Sequence, residues 1–110
     1  VPHGITSCVM LHHTMGFNRS HTADQQAWIA DIMGVETSNM DADVAAQAAQ
    51  RAMTRFVESL DLPTRLSQVG VTEDEFPALA KDALEDLIVA TNPRPVESEE
   101  TVVELLRSSL

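Results

Sequence analysis

The stretch Val1-Pro2-His3-Gly4-Ile5-Thr6-Ser7-Cys8-Val9-Met10-Leu11-His12-His13-Thr14-Met15-Gly16-Phe17-Asn18 decides the fold. It reads as one helix. Pro2 stands at or near the first helical position, where its missing N–H is not needed. Asn18 follows the last apolar residue, a common place for a helix to stop. At about 100° per residue, Ile5, Cys8, Val9, His12, Met15 and Gly16 fall on one side. Met10 and Phe17 lie on the far side, with Leu11 between. A helix that is apolar nearly all round belongs in an interior. The stretch therefore predicts a central helix, with the rest of the chain as its cover.

His3 is the residue in this helix that asks for a chemical explanation. It sits in the first turn, where the positive end of the helix dipole disfavours a protonated imidazole. A neutral imidazole is the form that binds metal, and Gly4 beside it lets a ligand or another backbone come close. Taken alone, the residues favour a simpler role, a histidine satisfying a helix start.

A resemblance changes that balance. Pro2-His3-Gly4, opening an apolar helix that ends in Leu11-x-His13-x-Met15-x-Phe17-Asn18, is similar to the start of the helical C-terminal domain of iron-containing alcohol dehydrogenases. These are NAD(P)-dependent, metal-dependent oxidoreductases of the dehydroquinate synthase-like fold. The similarity continues in order through Gly34, Leu62-Pro63, Gly70-Val71 and Asn92-Pro93-Arg94-Pro95, and so covers the whole chain. One departure is His12, where the family usually has proline ahead of the histidine matching His13. The resemblance implies iron, or sometimes zinc, held by one aspartate and three histidines. The Pro-His-Gly histidine is the last of these, so His3 is the one metal ligand it places in this chain. It places the other ligands, and the nucleotide-binding α/β domain, ahead of Val1.

Composition bounds the remaining possibilities. A chain of 110 residues is the size of a single domain and buries about 65% of its unfolded surface when compact. Seven basic against seventeen acidic side chains leave a formal charge of −10, and aromatic residues make up 4%. Such a surface repels phosphate backbones and offers few stacking platforms, which argues against nucleic acid. No cluster of Lys and Arg suggests an anionic membrane, no apolar run is long enough to span a bilayer, and no signal-peptide pattern opens the chain. Cys8 is the only cysteine, so no disulfide forms within the chain. It reads as a small apolar filler, consistent with a cytoplasmic protein.

Further along, Thr22 and Gln25 make a capping box for a second helix, Ala23 to Met33, closed by Gly34. Its apolar stripe is Trp28, Ile29, Ile32 and Met33, with Trp28 as a core anchor. After a linker, Asp41 or Asp43 caps the longest helix, which runs to about Leu60. Its alanine-rich centre allows close approach of a neighbour, and Val44, Ala48, Met53, Phe56, Val57 and Leu60 supply its buried side. Leu62-Pro63 ends this segment, and Thr64 to Val69 predicts one short turn before Gly70. Thr72-Glu73-Asp74-Glu75 is a second capping box. Pro77 then predicts a break and a helix to about Leu87, with Leu79, Ala80, Ala83, Leu84 and Leu87 inward. Ser98 or Glu97 caps a last helix with Val102, Leu105 and Leu106 inward. No segment alternates long enough for a strand. The fold class is all-α, a bundle of five or six helices forming a single domain over residues 1–110.

Other constellations are weaker. His3 and His12 are roughly 180° and 13 Å apart on one helix, and His12 and His13 are adjacent and diverge. A complete metal site within the chain is not expected. Asn92-Pro93-Arg94-Pro95 reads as a rigid return with Arg94 bonding nearby carbonyls, in preference to a loop at a cleft. No nucleophile–base pair or phosphate-cradling loop stands out.

By this reading the chain is the metal-site domain of a dehydrogenase acting on an alcohol or hydroxy acid, with His3 as metal ligand. No residue of its own is assigned as catalytic, and it is not expected to be active alone. Its implied partners are the nucleotide-binding domain and further copies of itself; no nucleic acid or membrane is expected. The rival is a free-standing, non-catalytic helical module whose uncovered apolar face drives self-association.

Overall fold

The computed structural model describes all residues, Val1–Leu110. It contains four α-helices, α1 His3–Ile32, α2 Ala42–Ser59, α3 Phe76–Glu85 and α4 Glu99–Ser108, and no strands. Short 3-10 turns at Leu66–Val69, Glu73–Glu75 and Val89–Thr91 connect them. The all-α expectation holds, whereas the expected count of five or six helices becomes four.

The count falls because the first two expected helices run on as one. The helix does not stop at Asn18 as expected, and the Thr22–Gln25 capping box does not form; instead Thr22 has non-helical angles (φ −137°, ψ 26°) inside α1. Its hydroxyl, however, donates back to the Asn18 carbonyl at 2.9 Å, so the chain bends instead of turning away. Gln26 braces the bend from inside, its side-chain amide reaching the Met15 carbonyl at 2.8 Å and the Thr22 hydroxyl at 3.0 Å. Past Ile32, Gly34 takes φ 91°, and the Val35 amide bonds back to the Ala30 carbonyl at 3.0 Å. This is the glycine-ended stop that the sequence predicts.

Other boundaries follow local chemistry. The Asp41 side chain accepts from the Val44 amide at 2.9 Å and starts α2. Glu75 reaches back to the Thr72 amide at 2.8 Å, closing the predicted box around one 3-10 turn. Pro77 stands in the first turn of α3, which ends at Glu85, before the predicted Leu87. Ser98 caps α4 through the Thr101 amide at 3.2 Å.

The most extensive interface joins α1 to α2, while α3 pairs with α4. Small residues make the first of these close. Ala45, Ala46, Ala48, Ala49 and Ala52 are all buried on α2. Opposite them, Gly16 lets the Gln50 side chain lie close against α1: a Cβ there would lie 2.6 Å from the Gln50 amide nitrogen. Two small apolar clusters form the core, Val9 with Leu66 and Phe76, and Met15 with Ala30 and Ala49.

The body is a plate. Its extents are 43 × 32 × 19 Å and its radius of gyration is 14.5 Å, against about 13 Å for a compact chain of this length. Only 16 of 110 residues are fully buried, so several apolar stripes stand uncovered. Trp28, predicted as a core anchor, is 71% exposed, and Ile32 and Leu87 are 82% and 87% exposed. Val44 and Phe56 on α2, and Leu60 just past its end, are exposed as well. The inward side of α1 beyond the bend carries Gln26 and Ala30 instead, since Gln26 is held there by its bonds across the bend. No helix is long and apolar enough to cross a membrane.

Candidate functional site

His3 is the first residue of α1 and its ring is exposed, not sheltered in a buried helix entrance as a central apolar helix implies. No side chain caps this helix start, and the first turn carries no acid. The His3 carbonyl accepts the Ser7 hydroxyl at 3.2 Å, while the ring bonds nothing in the protein. The simpler role proposed for it, satisfying the helix start, is therefore not one it performs. Beside it, a Cβ at Gly4 would meet nothing within 4 Å. An imidazole free of protein partners, next to open space, is chemically fit to give one nitrogen to a metal. No three His, Cys, Asp or Glu side chains of the chain converge on a common point, so a metal at His3 takes its other ligands from elsewhere.

A different arrangement occupies the middle of the same helix. His12 is 3% exposed, and its Nε2–H donates to the Thr64 carbonyl at 3.0 Å. The His13 Nε2–H donates to the same oxygen at 2.9 Å. The two ring centroids lie 4.1 Å apart with planes tilted by 46°. This corrects the expectation that adjacent histidines diverge. Thr64 places one carbonyl between the two side-chain directions, and both rings lean onto it. Because both Nε2 atoms donate, each neutral ring keeps a lone pair on Nδ1. That of His12 is buried without a partner. Burial, first of all, holds both imidazoles below their ordinary titration range; for His12 the His13 charge is the second cause. The bond to Thr64 partly opposes the shift in each ring.

Thr64 is itself fixed. Its amide and that of Arg65 donate to Gln68 Oε1 at 2.8 and 3.0 Å. Next to it, the Leu66 amide bonds the Ser109 carbonyl at 2.8 Å, tying this turn to the end of α4. Thr64 and Gln26 are the participants that sequence reasoning missed. The only signal for Thr64 was its position after Pro63, and for Gln26 its place between apolar neighbours.

Over the pair lies a polar groove of about 640 Å³ between α1, α2 and α4, with Arg19, Arg65 and Arg94 among its lining. Arg94 behaves as the sequence predicts. Its Nη1 donates to the Phe17 carbonyl at 3.1 Å, and its guanidinium stacks 4.1 Å above the Phe17 ring. Asn18 and Asn92 exchange side-chain bonds at 2.7 and 3.2 Å, pinning the Pro93–Pro95 return to the helix. Cys8 is a free, half-buried thiol.

This assembly of landmarks on one helical plate belongs to a known family. The profile of the Fe-containing alcohol dehydrogenase family, C-terminal, matches residues 1–110, and the chain is a member of that family. It is 34% identical over 108 residues to lactaldehyde reductase of Escherichia coli (strain K12), covering 98% of this chain and 28% of that protein. To 1,3-propanediol dehydrogenase of Citrobacter freundii it is 32% identical over 109 residues, 99% of this chain and 28% of that protein. The crystal structure of a 1,3-propanediol oxidoreductase superposes on the whole chain with a TM-score of 0.94 at 31% identity, over 28% of its own length. An alcohol dehydrogenase from Oenococcus oeni matches with the same score at 25% identity, again over all of this chain and 28% of the other. The chain thus spans a little over a quarter of the length of the relatives it matches.

Proposed function

We propose that this chain is the metal-site domain of an NAD(P)-dependent, iron-containing alcohol dehydrogenase and that His3 is its contribution to the metal. The observation that carries the reading is the His3 ring itself, on the first turn of α1, unbonded to any protein group and beside the open space at Gly4. The other ligands to iron (or zinc) lie outside these 110 residues, and so does the partner nucleotide-binding α/β domain with the NAD(P) site. When bound, the metal supplies a Lewis acid to polarise an alcohol or hydroxy-acid oxygen. His3 would hold its share of that ion through one ring nitrogen. The chain alone is then a single helical domain without dehydrogenase activity, in an enzyme of the cytoplasm.

The uncovered apolar side chains support both the partner domain and association with further copies. Trp28 and Ile32, one turn apart on α1, and Leu87 and Ile88 after α3 each stand more than two-thirds exposed, and apolar side chains left uncovered in this way suit an interface. They also favour the second reading, a non-catalytic module that associates with itself.

The test joins the chain to its nucleotide-binding domain and compares His3→Ala with the parent for metal content and for NAD(P)-dependent turnover. Lactaldehyde and 1,3-propanediol serve as probes, being the compounds for which the relatives are named. Even groups one layer behind a ligand cost roughly 10- to 100-fold in affinity or activity. The ligand itself should cost at least that. Full metal content and turnover in His3→Ala would overturn the proposal.

A further inference from the structure

The polar groove lies away from His3. His12 begins it, nine residues and about 13 Å along α1 from the helix start. It is also an electrostatic exception. The chain carries a formal charge of −10, yet Arg19, Arg65 and Arg94 put three of its seven basic side chains on this one lining. Only two of the seventeen acids, Glu58 and Glu104, share it. With Arg19 neutralised by Asp43, two guanidinium groups face two carboxylates, so the lining is balanced in charge and repels an anion less than the rest of this acidic surface does.

Its free hydrogen-bonding capacity is uneven. Arg19 is engaged by Asp43 at 3.0 Å. Arg94 gives one N–H to Phe17 and has no other protein acceptor, and the Arg65 guanidinium has none. Those forks match the geometry of a carboxylate or phosphate. Glu58 and Glu104 bond no protein donor and form no ion pair, so they remain as acceptors. Two of the fifteen lining residues are hydrophobic, which suits a hydrated, hydroxyl-rich molecule and not an apolar one. The buried, unpartnered Nδ1 of His12 adds a polar atom that the fold leaves unsatisfied in this wall.

We propose that this groove binds a small polyhydroxylated acid, its oxyanion held by Arg65 and Arg94 and its hydroxyls donated to Glu58 and Glu104. The site is separate from the metal end of α1, so a ligand here acts in addition to whatever His3 holds. It does not depend on the metal reading, and its test needs no turnover.

The experiment is a titration of the chain with 6-phosphogluconate at constant ionic strength and neutral pH. It is read by the NMR resonances of the His12 and His13 rings, with glucose and sulfate as comparison probes. Saturable shifts are expected with 6-phosphogluconate and none with glucose, which lacks the oxyanion. Sulfate, which lacks the hydroxyls, should bind at least about tenfold more weakly. Arg65→Gln, which removes no hydrogen bond of the fold, should weaken the phosphogluconate response by about tenfold. Arg55→Gln, an equal loss of charge outside the groove, should leave it unchanged. Absence of saturable shifts, or equal weakening by the two variants, would overturn the proposal. Sulfate binding as tightly as 6-phosphogluconate would overturn it as well, since the hydroxyl contacts would then count for nothing.

Discussion

Two sites on one helix treat the same side chain in opposite ways. At its first turn α1 holds His3 out, bonded to nothing; one third of the way along it spends His12 and His13 on a single carbonyl of a distant turn. The histidines of the pair act as fasteners, fixing the Thr64 turn to the helix while that turn holds the end of α4. His3 fastens nothing. Residue type therefore does not say which histidine serves the fold and which is left free of it; the partner does.

Substitutions should separate the two roles sharply. The largest effect belongs to His12→Ala, which leaves a cavity in the wall under Thr64 and removes one of its two donors. It should lower unfolding free energy by about 2–3 kcal/mol, measured by urea denaturation. A loss below about 0.5 kcal/mol would show the pair to be ornamental to stability.

Acid should find the same fastener. Both imidazoles titrate below their ordinary value of 6.5 in the folded chain. Below that pH the unfolded chain therefore binds protons that the folded chain refuses. The unfolded state then carries more protons, and stability rises with pH. Stability is accordingly fully present above 6.5 and is lost as pH falls towards the lowered folded values. The urea midpoint should drop between pH 7 and pH 5.5, and His13→Gln should flatten the drop; equal slopes in parent and variant would break this account. The smallest effect is expected at the other site. His3→Ala should change stability by less than about 0.5 kcal/mol, because the ring it removes touches no protein group. A larger loss would assign His3 to the fold after all.

How much of this the sequence disclosed depended on distance along the chain. The Thr72–Glu75 box and the Gly34 stop rest on neighbours within a few residues and are readable, and the caps at Asp41 and Ser98 are readable to within one alternative each, Asp43 and Glu97. Convergence of His12 and His13 is not, since it is imposed by a carbonyl 51 and 52 residues away. Burial was misjudged for a related reason. A stripe such as that of Trp28 and Ile32 states that a face is apolar, but not that this chain covers it. The proposal for His3 rests on the landmarks shared with the dehydrogenase family, and spacing alone would have passed over that residue.

A body 19 Å thick is less than two helix diameters deep. Few residues in it are covered on every side: 16 of 110 are buried. Rigidity in such a sheet of helices comes from how closely neighbours touch side by side, at the buried alanines of α2 such as Ala46 and Ala49, and not from depth. Enlarging one small residue along that seam would wedge the two long helices apart over their whole shared length, tilting whatever is mounted at either end.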